Sequence, residues 1–219
     1  MSSQAPEHLH DIYEDAPAPI DRVLQYRGLG WVVLSDVFAP YPTFGSTTGI
    51  TKKNIAMYEG KRVLDLGCGS GVRGIIAALS GAERVVATDI HDRACQNTAL
   101  NAQRHNVAVD IICADMFAGI AGRFDTIVSY LPSRDAPVGT LAERAIHDPG
   151  LRLNKQLLNE APAFLEAGGN LHTSFLDQDG SVLEMEDLIA DNGYNQLSHV
   201  VRPHAETGDW HFFSLQNPA

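Results

Sequence analysis

Short apolar runs alternate along most of the chain with longer stretches whose apolar positions recur at helical spacing, and glycines or turn residues separate the two. From residue 61 onward the order is regular. "RVLDL" (62–66) reads as a strand and "VRGIIAALS" (72–80) as a helix. "RVVATD" (84–89) is the next strand, and "HDRACQNTALNAQRHN" (91–106) is a helix that Asp92 can cap. "VDIICAD" (109–115) and "FDTIVSY" (124–130) follow as strands, the second turning abruptly at Tyr130, Leu131 and Pro132. "LRLNKQLLNEAPAFLEAG" (151–168) predicts a helix reaching Gly168 and Gly169, with the strand "NLHTSFL" (170–176) beyond it. "SVLEMEDLIADNG" (181–193) is a helix, and "QLSHVVRP" (196–203) with "WHFFSLQ" (210–216) forms a closing antiparallel pair. Such alternation implies an α/β fold, a mostly parallel sheet with helices on both faces.

Ahead of this core the pattern differs. Residues 1–19 are rich in Ala, Pro, Asp and Glu without periodicity and predict a mobile acidic arm. "VLQYRGLGWVVLSDVF" (23–38) gives two β-rich runs split by Gly28, Leu29 and Gly30, which predicts a hairpin. "GSTTGITKKNIAMYEG" (45–60) holds a short helical pattern closed by Gly60. The expected organisation is an arm over 1–19 and a single domain over 20–219, divided into hairpin and short helix (20–60) and core (61–219).

Composition narrows the function classes. With 219 residues, 44% of them hydrophobic and 20% charged, the chain can bury a full core. The formal net charge is -11, from 16 basic and 27 acidic residues, and no run of Lys or Arg interrupts it. Nucleic acid is therefore disfavoured as a partner, because a polyanion is usually met by a basic surface. Cys68, Cys95 and Cys113 lack metal-ligand spacing and read as reduced core residues, so no metal is expected. The chain start lacks a secretory pattern and no apolar run reaches membrane-spanning length, so no membrane is expected and the cytoplasm is the expected compartment.

The candidate chemistry gathers at strand ends. "VLDLGCGSG" (63–71) runs from a strand through Gly67, Gly69 and Gly71 into a helix, where the backbone can approach a ligand closely. The dinucleotide pattern would place glycine where Val72 stands. Asp65, just before the loop, repels a pyrophosphate and attracts an amino group or a sulfonium. Asp89 ends the second core strand, where a carboxylate can take the two hydroxyls of a ribose. Asp115 ends the third, where it can accept an adenine amino group while Met116 and Phe117 pack on the ring. Each acid alone could equally be a helix cap. Together they outline an adenosine that carries positive charge at its far end.

"VLDLGCGSG", "ATDIHDRACQNTALNA", "CADMF" and "FDTIVSYLPS" resemble, in order and spacing, the successive motifs of class I S-adenosylmethionine-dependent methyltransferases. Within that superfamily the chain is most similar to the small-domain group that includes the release-factor glutamine methyltransferases. The resemblance implies a Rossmann-like, seven-stranded sheet with its last strand reversed, and S-adenosylmethionine as cofactor with S-adenosylhomocysteine as product. It assigns Asp65, Gly67, Gly69 and Gly71 to the methionine end, Asp89 with Ile90 to the ribose, and Asp115 with Met116 to the adenine. Thr47 is carried over either as a contact to the cofactor carboxylate or as a helix cap.

One motif departs. The glutamine- and adenine-methylating relatives end the fourth strand in Asn-Pro-Pro-Tyr, whereas this chain has Tyr130, Leu131, Pro132 and Ser133. The amide acceptor is gone, and a phenol cannot imitate an amide carbonyl. Tyr130 either orients the acceptor beside the sulfonium or only roofs the cofactor. Five histidines, His91, His147, His172, His204 and His211, could serve as bases near neutral pH, with His147 placed where relatives build a substrate wall. Tyr41, Phe44 and Trp210 can form an aromatic pocket or pack in the core. The expectation is methylation of a small-molecule acceptor at oxygen or nitrogen, with Tyr130 and His147 as candidate catalytic residues. A protein glutamine-type N-methyltransferase, a noncatalytic cofactor-binding module and a dehydrogenase stand as alternatives in that order.

Overall fold

The computed structural model describes residues 20–26, 28–38, 52–139, 141–177, 180–203 and 208–218, without side chains at 20–22, 24–26, 52–54, 141 and 142. The predicted arm and Tyr41, Phe44, Thr47 and His204 lie outside the described residues.

Two strands, β1 (Ile20–Tyr26) and β2 (Leu29–Leu34), pair antiparallel as the glycine pattern predicts. After α1 (Lys52–Tyr58) the core alternates through β3 (Arg62–Leu66), α2 (Val72–Leu79), β4 (Arg84–Asp89), α3 (Asp92–Arg104), β5 (Asp110–Cys113) and β6 (Phe124–Ser129). Then come the short α4 (Leu141–Arg144), a 3-10 turn (Pro149–Leu151), α5 (Arg152–Phe164), β7 (Leu165–Asp177), α6 (Val182–Asp191), β8 (Asn195–Arg202) and β9 (Asp209–Gln216). The seven core strands form one sheet in the order β5-β4-β3-β6-β7-β9-β8. β3 pairs in parallel with β4 and β6, while β9 runs antiparallel to both its neighbours, so the expected seven-stranded sheet with a reversed last strand is present.

Burial follows position in the sheet. The central β3 is covered on both faces, with Val63, Leu64, Asp65 and Leu66 all buried, as in a parallel strand between two helical layers. The edge strand β8 is largely exposed, and β9 beside it alternates buried and partly exposed residues.

Two features position the site. First, Asn97 and Asn101, one turn apart on α3, are fully buried and satisfy the free edge of β2. Asn101 accepts the Val32 N–H at 2.8 Å and Asn97 the Leu34 N–H at 2.9 Å, and both amides donate to the Val32 carbonyl at 2.8 Å. Asn101 also donates to the Ser70 carbonyl at 2.8 Å, so one helix holds both the hairpin and the glycine loop. Second, α5 ends at Phe164 and β7 begins at once, because Leu165 pairs with Phe124. This corrects the predicted helix to Gly168. Pro162 removes an N–H from the last turn, and the Tyr194 hydroxyl donates instead to the Leu158 carbonyl four residues earlier, at 3.0 Å.

Among the described residues no helix is long and apolar enough to cross a membrane, and no cluster of three or more potential metal ligands occurs.

Candidate active site

The strand order reverses between β3 and β6: the chain moves outward from β3 through β4 to β5, then crosses back to β6 on the other side. Ligands of open α/β sheets settle in the crevice at the carboxyl ends of such strands. Leu66 pairs with Ser129, so Gly67 and Tyr130 leave neighbouring strands side by side. A cavity of about 630 Å³ opens there, within the range of small-molecule sites.

The glycine loop is shaped by close contacts. Gly67 has φ 74°, and a side-chain carbon on it would sit 2.9 Å from Leu131 Cδ2. Gly71 has φ 78°, and such a carbon would meet Thr98 at 2.8 Å. Both positions therefore require glycine. Thr98, fully buried, donates to the Gly69 carbonyl at 3.1 Å and holds the turn from below.

All three carboxylates predicted to surround one ligand line this cavity: Asp65, Asp89 and Asp115. Asp65 is 2% exposed and accepts the Gly74 N–H at 2.7 Å. Burial pushes its carboxyl up to about 6, against the Gly74 hydrogen bond and the Arg73 charge, with Asp89 adding to the rise. Asp89 accepts the Gly69 N–H and the His91 N–H, both at 2.9 Å, leaving one lone pair on each oxygen for a ligand. Asp115 is exposed at the rim, next to Met116, which is buried with φ 47°. Ile90 is also on the wall and is 71% exposed, an apolar side chain held open at the mouth.

Sequence reasoning missed several lining residues. Asp36, Val37 and Phe38 reach the cavity from the end of the hairpin. The Arg73 guanidinium lies 3.0 Å from the centroid of the Tyr130 ring, which also lines the cavity, so a cation sits on the tyrosine face at the reversal point. Of the candidate histidines, His91 is on the wall, and its Nδ1 is buried without a hydrogen-bond partner among the described residues.

Other candidates lie elsewhere. His147 is not on the cavity wall: its Nδ1 is 2.8 Å from the Pro137 carbonyl. His211 meets His199 at 2.8 Å on the strand face opposite Trp210, and burial holds its pKa low; His172 meets Ser214 at 2.9 Å. Trp210 itself lines the cavity. The Pro132 carbonyl accepts the Asn154 side-chain amide at 2.6 Å and so faces α5.

The open glycine loop, the three acids and the His91 nitrogen left without a partner among the described residues suit a cationic adenosine such as S-adenosylmethionine. A family model, methyltransferase small domain, matches residues 34–189. The chain belongs to this S-adenosylmethionine-dependent methyltransferase family. Within it, the chain is 41% identical over 87 residues to a ribosomal protein L11 methyltransferase of Thermosipho africanus, covering 39% of this chain and 34% of that one. A Methanocaldococcus jannaschii protein, provisionally named a protein N5-glutamine methyltransferase, is 31% identical over 153 residues, 67% of this chain and 76% of the relative. A ribosomal RNA small subunit methyltransferase C of Haemophilus influenzae is 28% identical over 159 residues, 71% of this chain and 42% of that one. The matched stretch thus spans about a third of the L11 relative's length.

Solved structures share the fold. A ribosomal protein L11 methylase from Lactobacillus delbrueckii superimposes with a TM-score of 0.60 at 22% identity, covering 76% of each chain. The magnesium protoporphyrin IX methyltransferase of Synechocystis, solved with bound S-adenosylmethionine, gives 0.58 at 18% identity over 74% of this chain and 72% of that one.

These small-domain relatives overturn one expectation. The sequence put a small-molecule acceptor first and set nucleic acid aside on net charge; relatives named for ribosomal protein L11, protein glutamine and ribosomal RNA do not support that order. Net charge is a sum over the whole surface, whereas an acceptor meets only the groups lining one cavity.

Proposed function

We propose that the chain methylates a nitrogen on a protein side chain, with Tyr130 orienting the acceptor. The observation that carries this reading is the continuity of the cavity: it runs from the three carboxylates past Tyr130 to Leu153, Leu176 and Trp210, which leaves a partly apolar acceptor end beyond the cofactor residues. The relative that aligns over most of both chains carries a protein-methylating name, which supports the same reading.

When bound, S-adenosylmethionine supplies a methyl group already activated by a positively charged sulfur. The remaining work belongs to the chain. Asp65 would hold the ammonium, Asp89 the ribose hydroxyls, and Asp115 with Met116 and Ile90 the adenine. Among the described residues Arg73 is the cation beside Asp65 on that part of the wall, and it would suit the methionyl carboxylate. Orientation and exclusion of water then supply most of the rate, because no difficult leaving group has to be made. The Asn-Pro-Pro-Tyr arrangement is not reproduced, since the Pro132 carbonyl is bonded to Asn154. The Tyr130 hydroxyl is the polar group left at that position to align an incoming nitrogen.

Incubation of the purified protein with methyl-labelled cofactor and separated protein, RNA and metabolite fractions of a cell extract tests this reading. Label is expected in protein. Label confined to RNA or to metabolites would overturn it.

A further inference from the structure

Charge is unevenly distributed along the cavity, with Arg73 the cation on its acidic side among the described residues. Asp65, Asp89 and Asp115 stand at the ends of β3, β4 and β5; across the reversal point, the segment leaving β6 brings Arg134 and Arg144 onto the same wall. In a chain with 16 basic and 27 acidic residues this is a local reversal of sign.

The two guanidinium groups make no ion pair among the described residues. Arg134 Nε is buried and has no hydrogen-bond partner there. Nearby acids are already engaged: Asp135 accepts the Gly150 N–H and Glu143 the Gly139 N–H, both at 2.7 Å, and Asp148 accepts the Leu153 N–H at 3.0 Å. The backbone beneath is tied down. The Arg134 N–H donates to the Ile146 carbonyl at 3.1 Å, the Asp148 N–H to the Arg134 carbonyl at 2.8 Å, and the Leu176 N–H to Ser133 Oγ at 3.1 Å. A buried guanidinium N–H without an acceptor is costly, and an anion reaching it removes the cost.

We propose that Arg134 and Arg144 form an anion-receiving subsite that recognises a carboxylate of an acidic protein segment next to the group methylated at Tyr130. This rests on the protein-methyltransferase reading. Guanidinium groups bind carboxylates and phosphates alike. The carboxylate is favoured because Asp36, Asp65, Asp89 and Asp115 outnumber Arg73 on the rest of the wall and repel a run of phosphates, whereas a single carboxylate needs only Arg134 and Arg144. Leu153, Leu176 and Trp210 beside it can take the aliphatic part of the segment.

The test uses methyl-labelled cofactor and two peptide pools that differ only in carrying Glu or Gln at the positions flanking the acceptor. The wild-type protein is expected to have a KM about 10-fold lower or more for the Glu pool. Arg134→Gln, Arg144→Gln and the double variant should erase that preference, with the loss falling on KM rather than kcat. Because Arg144 is exposed, its variant is read even where Arg134→Gln lowers the melting temperature. Equal KM for the two pools in the wild type, or a Glu preference retained by the double variant, would overturn the proposal. So would capture of an oligoribonucleotide, in place of the Glu peptides, that the same variants lose. If no peptide takes label, the protein-methylation reading fails, and the subsite is read by calorimetric binding of glutarate to the S-adenosylhomocysteine-loaded protein. Binding lost in the double variant then supports the subsite, and no binding in the wild type overturns it.

Discussion

Asp65 is held at a cost. Its carboxyl is almost entirely enclosed, and burial lifts it from 3.8 to about 6. The native state therefore grips the proton more tightly than the unfolded chain does. Stability is lost as pH rises between those two values, and the full penalty, about 3 kcal/mol, applies above them. Asp65→Asn should then stabilise the fold at pH 8 by about 1–3 kcal/mol in denaturant melts, because an amide oxygen can still accept the Gly74 N–H. The same variant should lose cofactor affinity by about 10-fold or more in calorimetry. Wild-type affinity should also fall as pH is lowered through about 6, while the variant stays flat. For Tyr130→Phe the ring under Arg73 is kept and only the hydroxyl goes, so cofactor affinity should hold while methyl transfer slows about 10- to 100-fold. At this scale the acids were legible because each stands at the carboxyl end of a recognisable strand. Arg73 was not: its place on the Tyr130 face depends on a contact between α2 and the end of β6, which local spacing does not encode. Nor was the orientation of His147, whose ring is taken by the Pro137 carbonyl.

Elements show where tertiary contacts override local preference. The stretch after Pro162 is composed of good helix formers, yet Leu165 leaves α5 to pair with Phe124. The proline leaves the Leu158 carbonyl without its helical donor, and Tyr194 supplies one. Tyr194→Phe should therefore cost about 1–2 kcal/mol. In a Pro162→Ala background, where the helix regains its own N–H, the cost should shrink by at least half. Urea denaturation of the four proteins of this double-mutant cycle measures the difference. Periodicity revealed the existence and type of nearly all the elements, because apolar spacing directly reports which face is covered. It could not reveal that Asn97 and Asn101 are fully buried on α3, since two asparagines on a helix ordinarily face water. Their partners are the backbone groups of a hairpin far away in the chain.

Taken whole, the molecule places a cavity where the two halves of the sheet meet, and the ends of β3, β4, β5, β6 and β7 all contribute to its wall. S-adenosylmethionine at 100 times its Kd should add about 2.7 kcal/mol and raise the melting temperature by about 5–10 °C for a chain of this length. NAD at the same concentration should give no shift, because Asp65 and Val72 suit a pyrophosphate badly. Calorimetric scans with each ligand decide between them. The chain order of the strands made this crevice foreseeable; the arginines across it were not, since residues 134 and 144 lie in a stretch without periodicity. Among the described residues that stretch is fastened by Ser133 to β7, by Asp135 to the Gly150 N–H and by Asp148 to α5. The two ends of that stretch are consequently held to the core independently of the side chains between them. A different sequence spliced between the same fastenings should retarget the protein while leaving its grip on S-adenosylmethionine unchanged, which acceptor screening beside calorimetry would show.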